Sequence, residues 1–195
     1  MSSRKRPRPY QLPPAMKLVV REASRGPGPL QGALKVLADL KRAGLIKEYA
    51  LGGGVGAMRY TEPFTTVDLD VFYVPISGDL AAGLPAMYAY LRERGFEPAR
   101  EYVVIAGIPV QFLAVDALTR EAVESATEVD YEGAKTRICS AEHLLAMAAR
   151  TGRPRDRLRM AMLLEQGKIN RLKLAGILKR HGLAVAFAAA TGKKA

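Results

Sequence analysis

Residues 52–74 read Gly-Gly-Gly-Val-Gly-Ala-Met-Arg-Tyr-Thr-Glu-Pro-Phe-Thr-Thr-Val-Asp-Leu-Asp-Val-Phe-Tyr-Val, a glycine-rich turn followed by two carboxylates in an apolar run. Side chains two apart on an extended strand share a face. Asp68 and Asp70 therefore project together, while Leu69 and Val71 turn the other way into apolar packing. The neighbours Val67, Leu69, Val71 and Phe72 predict a buried strand over Val67–Val74. Two carboxylates side by side repel unless a cation lies between them, and Mg²⁺ or Mn²⁺ takes oxygen ligands of this kind. The glycines offer backbone N–H groups at a helix start, where a phosphate can be held. A phosphate cradle beside a metal-binding carboxylate pair points to phosphoryl or nucleotidyl transfer.

The rest of the sequence has room for this arrangement. The 195 residues are 49% apolar and 25% charged, enough for one core with a helical appendage. No apolar run approaches the ~18 to 20 residues of a membrane span, and the start, Met-Ser-Ser-Arg-Lys-Arg, lacks the apolar core of a secretory signal. A lone cysteine, Cys139, forms no internal disulfide and suits a reducing compartment, so a cytoplasmic location is expected. The net charge of +11 is unevenly spread: residues 150–181 carry ten arginines and lysines against Asp156 and Glu165. Such a field attracts polyanions, so nucleotide phosphate or RNA, including tRNA, is an expected partner of the C-terminal helices. A solvated helical face is the alternative.

Four regions are expected. Residues 1–15 are a basic, proline-rich disordered tail; 16–139 form an α+β domain; 140–182 are a helical C-terminal region; 183–195 are a tail. Apolar residues at three- and four-residue spacing predict a helix over 30–44, and the pattern predicts a strand Lys47–Leu51, a brief helix near 54–60 and a helix over 79–95. Strands Tyr102–Ala106 and Val110–Val115 form a hairpin, residues 118–127 a helix and residues 129–138 a second hairpin, with helices at 140–150, 154–166 and 170–181. His143 and His181 lack metal-ligand spacing and read as structural or exposed, Cys139 as packed and Tyr60 as a core aromatic.

Gly53-Gly54, then 13 residues, then Asp68-Leu69-Asp70, with Tyr60 and Thr66 between, resembles the minimal nucleotidyltransferases of the DNA polymerase beta-like superfamily. Thr151-Gly152-Arg153-Pro154-Arg155-Asp156 resembles that superfamily's later helix junction, so the similarity spans roughly 30–182. The resemblance implies a mixed sheet with helices on one side. It also implies Mg²⁺ or Mn²⁺ on Asp68 and Asp70, and a nucleoside triphosphate held by Gly53, Gly54 and Thr66. Arg153 and Arg155 would meet phosphates, with Asp156 orienting one of them. The implied reaction moves a nucleoside monophosphate to an RNA or protein hydroxyl. Toxins of toxin–antitoxin pairs occur among such proteins, so an antitoxin-like partner is also implied.

Three positions depart from the superfamily pattern. Gln111, in Val110-Gln111-Phe112-Leu113, stands where a third carboxylate is usual; Phe64 stands for an arginine and Ala148 for a lysine. An amide can ligate through its carbonyl but cannot serve as a base. Asp116, five residues further on, falls on the other strand face, and Glu101 on the adjacent strand is the remaining carboxylate to consider. The second reading is therefore a catalytically impaired module that binds nucleotide or nucleic acid without turnover.

Overall fold

A computed structural model describes residues 28–76, 80–131 and 133–192; the expected N-terminal tail 1–15 lies outside them. Helix α1 (Pro29–Arg42) opens with proline at its first position and buries Ala33, Leu34, Leu37 and Leu40 on one stripe, as its periodicity predicts. Then follow β1 (Ile46–Leu51), the short α2 (Gly53–Ala57), β2 (Leu69–Pro75), α3 (Leu80–Glu93), β3 (Pro98–Ala99), β4 (Tyr102–Ile105) and β5 (Ile108–Ala114). The chain continues through α4 (Ala117–Glu124), β6 (Thr127–Tyr131), β7 (Ala134–Ile138), α5 (Ala141–Thr151), α6 (Pro154–Gln166), α7 (Arg171–Arg180) and α8 (Ala184–Thr191).

The strands form one mixed sheet in the order β3-β4-β5-β2-β1-β7-β6. The strand carrying the aspartates, β2, is the middle one, antiparallel to β1 and parallel to β5. A central strand needs apolar residues on both faces, which accounts for the run that follows Asp68. Leu69, Val71 and Tyr73 pack with Leu34 and Leu37 of α1 and with Met87 and Leu91 of α3. Phe72 and Val74, on the alternate face, pack into a second cluster built from α4 to α8. Helices thus cover both faces, not the single face expected, because β2 leaves apolar surface on each.

The C-terminal helices hold to one another and to α4 through polar contacts as well as apolar ones. Glu142 of the buried α5 accepts from the Asn170 backbone N–H at 2.9 Å and pairs with Lys173 at 3.4 Å. His143 and His181, expected to be separate, both reach Glu121 of α4, at 3.3 and 2.8 Å, beside Arg180 at 2.5 Å. The Arg180 hydrogen bond is the main cause holding the Glu121 carboxyl at about 2; burial opposes it, and His181 and His143 add to it. Burial lowers the His143 pKa below its usual value. The neutral ring then donates from Nε2 to Glu121 and accepts from Ser140 at Nδ1, the tautomer this network assigns. Both histidines are structural, and Cys139 is fully buried with its thiol pushed up to about 12 by burial.

The tail expected from residue 183 is instead helical to Thr191. Phe187 of α8 is 2% exposed and lies within the cluster formed by α5 to α7. Replacing Phe187 with alanine should cost about 3–5 kcal/mol, as for other fully buried aromatics. Denaturant unfolding reads this directly; a loss within 0.5 kcal/mol would mean that α8 is peripheral, as surface changes are.

Candidate active site

Alternation along β2 turns Asp70 toward the C-terminal helices, on the face opposite Leu69 and Val71. The parallel register of β2 with β5 sets Asp70 level with Gln111. Continuing the antiparallel pairing of Val103 with Val110 by one residue brings Tyr102 beside Gln111. Asp70, Gln111 and Tyr102 therefore form a row across three strands. All three line a cleft of about 570 Å³, whose other wall is Arg150, Arg153, Arg155 and Arg159. The strand side carries Asp70 and Gln111, and the helix side carries guanidiniums, two of them paired with Asp116 and Asp156.

The glycine turn meets this row at close range. The Gly52 backbone N–H donates to the Asp70 carbonyl oxygen at 3.0 Å. Gly53 sits at φ +52°, and a Cβ there would overlap the Asp70 carboxylate. A Cβ on Gly54 would lie 2.5 Å from Thr66 Oγ1. Both glycines are thus required by close approach of the turn to Asp70 and Thr66, independently of any phosphate.

Asp68 lies one residue before β2 and is 6% exposed, with Thr66 Oγ1 donating to it at 3.4 Å. It borders a smaller groove of about 350 Å³ that also takes in Phe64, Thr66 and Leu158. Val67, expected inside the strand, is 56% exposed and lines that groove. Arg155 and Arg159 line both cavities and so stand at their junction. Burial, then the charge of Asp68, pushes the Asp70 carboxyl up to about 6, against the pull of Arg159 and Arg155.

The arginine wall is set by the α5–α6 junction. Gly152 ends α5 in the left-handed conformation and Pro154 starts α6, the usual stop and start residues for such a turn. Arg155 and Arg159, four apart, then share a helix face. Asp156 is buried, accepts from Thr151 Oγ1 at 2.7 Å and pairs with Arg159 at 3.6 Å. It therefore orients Arg159, not Arg153 or Arg155 as the sequence resemblance implied. Arg150 is held by Asp116 at 2.5 Å, and Asp116 caps α4 by accepting from the Thr119 N–H at 2.9 Å. Burial works against ionisation of Asp116, but the bonds from Thr119 and Arg150 outweigh it and leave its pKa lowered.

Of the residues singled out in the sequence, Gly53, Asp70, Gln111, Arg153 and Arg155 line the main cleft. Gly54, Thr66 and Asp68 adjoin it through the smaller groove. Arg159 was missed, although its spacing from Arg155 was a usable signal. Tyr102 was missed because only strand pairing brings it to Gln111. Among the described residues no three His, Cys, Asp or Glu side chains are grouped to hold a metal ion.

No protein-family model matches the sequence, and no curated protein matches it. Among solved structures, the chain is similar to an antigenic nucleotidyltransferase-like protein from Paracoccidioides brasiliensis. The identity is 16% and the TM-score 0.50, with 84% of this chain and 97% of that one covered. The antibiotic-resistance factor ANT(2'')-Ia aligns at 15% identity and a TM-score of 0.49, over 82% of this chain and 94% of that one. The Megavirus polyadenylate synthase aligns at 12% and 0.44, over 85% of this chain and 40% of its own. The chain has a nucleotidyltransferase-like fold, as the first of these likenesses and the mixed sheet both indicate. No helix among the described residues is long and apolar enough to cross a membrane.

Substituting Gly53 with alanine should cost at least about 1–2 kcal/mol from the left-handed backbone alone, and should displace the Asp70 carboxylate. The melting temperature should fall accordingly; an unchanged value would contradict the close packing of the turn.

Proposed function

We propose that the protein is a nucleotidyltransferase that moves a nucleoside monophosphate from a nucleoside triphosphate to a hydroxyl acceptor, an RNA or a protein side chain. The observation that carries this reading is the pairing of Asp70 and Asp68 with a close glycine turn on one side and Arg155 and Arg159 on the other. Like charges are held together there, at a buried place, facing guanidiniums suited to phosphate oxygens.

The residues fit a hard divalent cation. Asp68 and Asp70 offer carboxylate oxygens whose like charges repel, and Gln111 offers an amide carbonyl level with Asp70. Mg²⁺ commonly binds through one or two carboxylates plus substrate phosphate and water, which suits a site with only this pair. Bound there, Mg²⁺ or Mn²⁺ would neutralise charge on the reacting phosphates. The protein's own groups would do the rest: Arg155 and Arg159 bind phosphate, Asp156 fixes Arg159, and Gly53, Gly54 and Thr66 border the phosphates closely enough to exclude water. Arg153 and Arg150 extend the positive wall toward the acceptor. Several cations of the C-terminal helices are already paired, Lys173 with Glu142 and Arg180 with Glu121. Arg153, which lines the cleft, makes no ion pair among the described residues and favours an RNA acceptor there.

A second reading, nucleotide binding without turnover, draws support from Gln111, which sits level with Asp70 where a carboxylate would complete the site. Incubation with labelled nucleoside triphosphates, Mg²⁺ or Mn²⁺ and total tRNA or protein extract separates the two. Transfer should be lost by at least about 100-fold in Asp68→Asn and Asp70→Asn, the scale on which one electrostatic element of a site counts. Nucleotide binding with no label transfer selects the second reading, and wild-type transfer by both variants would rule out the first.

A further inference from the structure

With Gln111 level with Asp70, the proposed reaction lacks its usual place for a proton acceptor, since an amide takes up no proton at neutral pH. Four carboxylates line the cleft: Asp70, Glu101, Asp116 and Asp156. Three are committed. Asp70 is the proposed cation ligand, under the charges of Asp68, Arg159 and Arg155. Asp116 caps α4 and holds Arg150. Asp156 is buried on Thr151 and Arg159. Glu101 is exposed and makes no hydrogen bond or ion pair among the described residues.

Its placement is not that of a casual surface residue. Ala99 pairs with Tyr102, so Arg100 and Glu101 form a two-residue hairpin turn at the cleft. Arg100 holds φ +59°, a conformation that costs a non-glycine residue about 1–2 kcal/mol and that a glycine at this first turn position would fill more easily. Backbone strain of this kind collects at functional sites, and here it fixes the turn that brings Glu101 to the cleft. The Tyr102 phenol pKa is raised by burial first, and then by the charges of Asp68, Glu101 and Asp70. Glu101 and Tyr102 line the same cleft as Asp70 and Gln111, so Glu101 shares that space with the proposed reacting centre.

We propose that Glu101 is the general base of this site, performing the proton removal that Gln111 cannot. The assignment rests on the nucleotidyltransferase reading. The acceptor O–H gives its proton to the Glu101 carboxylate as the acceptor oxygen bonds to the α-phosphorus. The bond from the α-phosphorus to the oxygen bridging to the β-phosphorus breaks, and pyrophosphate leaves with the electron pair. The exposed position of Glu101 lets the proton pass on to water before the next turnover.

The test measures pyrophosphate release and label transfer from each of the four nucleoside triphosphates, with Mg²⁺ and total tRNA or protein extract as acceptor source. Nucleotide binding is followed in parallel by calorimetry. Glu101→Gln should lower kcat about 100-fold or more, with nucleotide binding and nucleotide KM changed less than about twofold. Adding Gln111→Asp should return a carboxylate beside Asp70 and recover at least about tenfold of that loss. Wild-type kcat in Glu101→Gln overturns the assignment, as does a loss that tracks nucleotide binding and is not rescued. Either result leaves the nucleotidyltransferase reading standing if the wild type transfers label. Nucleotide binding without any transfer by the wild type removes both that reading and the assignment.

Discussion

Two carboxylates held together away from water, on and just before the central strand, are the arrangement on which the rest depends. Burial disfavours the charged form of Asp70 and the charge of Asp68 disfavours it further, so its carboxyl is pushed up to about 6. Nothing in the packing of the sheet asks for such a pair, since Leu69, Val71 and Tyr73 already fill the other face. What relieves the pair within the chain is Arg159 and Arg155, which also face the cleft. The fold thus sets acids and guanidiniums across a space wide enough for a ligand that can bridge both. A polyphosphate with a hard cation has that chemistry.

The supporting structure follows from that demand. The glycine turn packs so closely on Asp70 and Thr66 that side chains are excluded at Gly53 and Gly54. The α5–α6 junction, made by Gly152 and Pro154, aims Arg155 and Arg159 back at the sheet. Helix α5, buried along nearly its full length, fixes that junction, and Glu142 and His143 tie it to α7 and α4. Energy spent on burying these polar groups is recovered only because each has a partner; no buried side-chain polar atom among the described residues is left without one.

Much of this was legible in the residues, and the reasons for the exceptions are specific. Alternation placed Asp70 opposite Leu69 and Val71, as the packing of β2 has it, and the apolar run around it predicted a buried strand; Asp68, expected on the same strand face, lies just before β2 and borders its own groove. The placement of Gln111 beside Asp70 followed a motif comparison that the β2–β5 register matches. Helices on one face only was wrong, because alternation within β2 shows two apolar sides only once strand order is known. The tail from residue 183 was wrong for another reason. Ala184–Thr191 is alanine-rich, strong in helix propensity, but its one large side chain, Phe187, gives no period to read. Tyr102 and Arg159 reach the site by strand pairing and by helix spacing across a tertiary contact, and neither sits in a motif. The convergence of His143 and His181 on Glu121 joins residues up to 60 positions apart, which no local pattern encodes.

The central claim is that Asp68 and Asp70 share a divalent cation with a nucleoside triphosphate lying against Arg155 and Arg159. The most direct measurement is a crystal structure with Mn²⁺ and a non-hydrolysable triphosphate, located by anomalous scattering. The account predicts an anomalous peak within ligand distance of both aspartates, about 2.0–2.3 Å from their oxygens, with phosphates contacting Arg159. A Mn²⁺ peak away from the pair, or a triphosphate bound elsewhere on the protein, would contradict it.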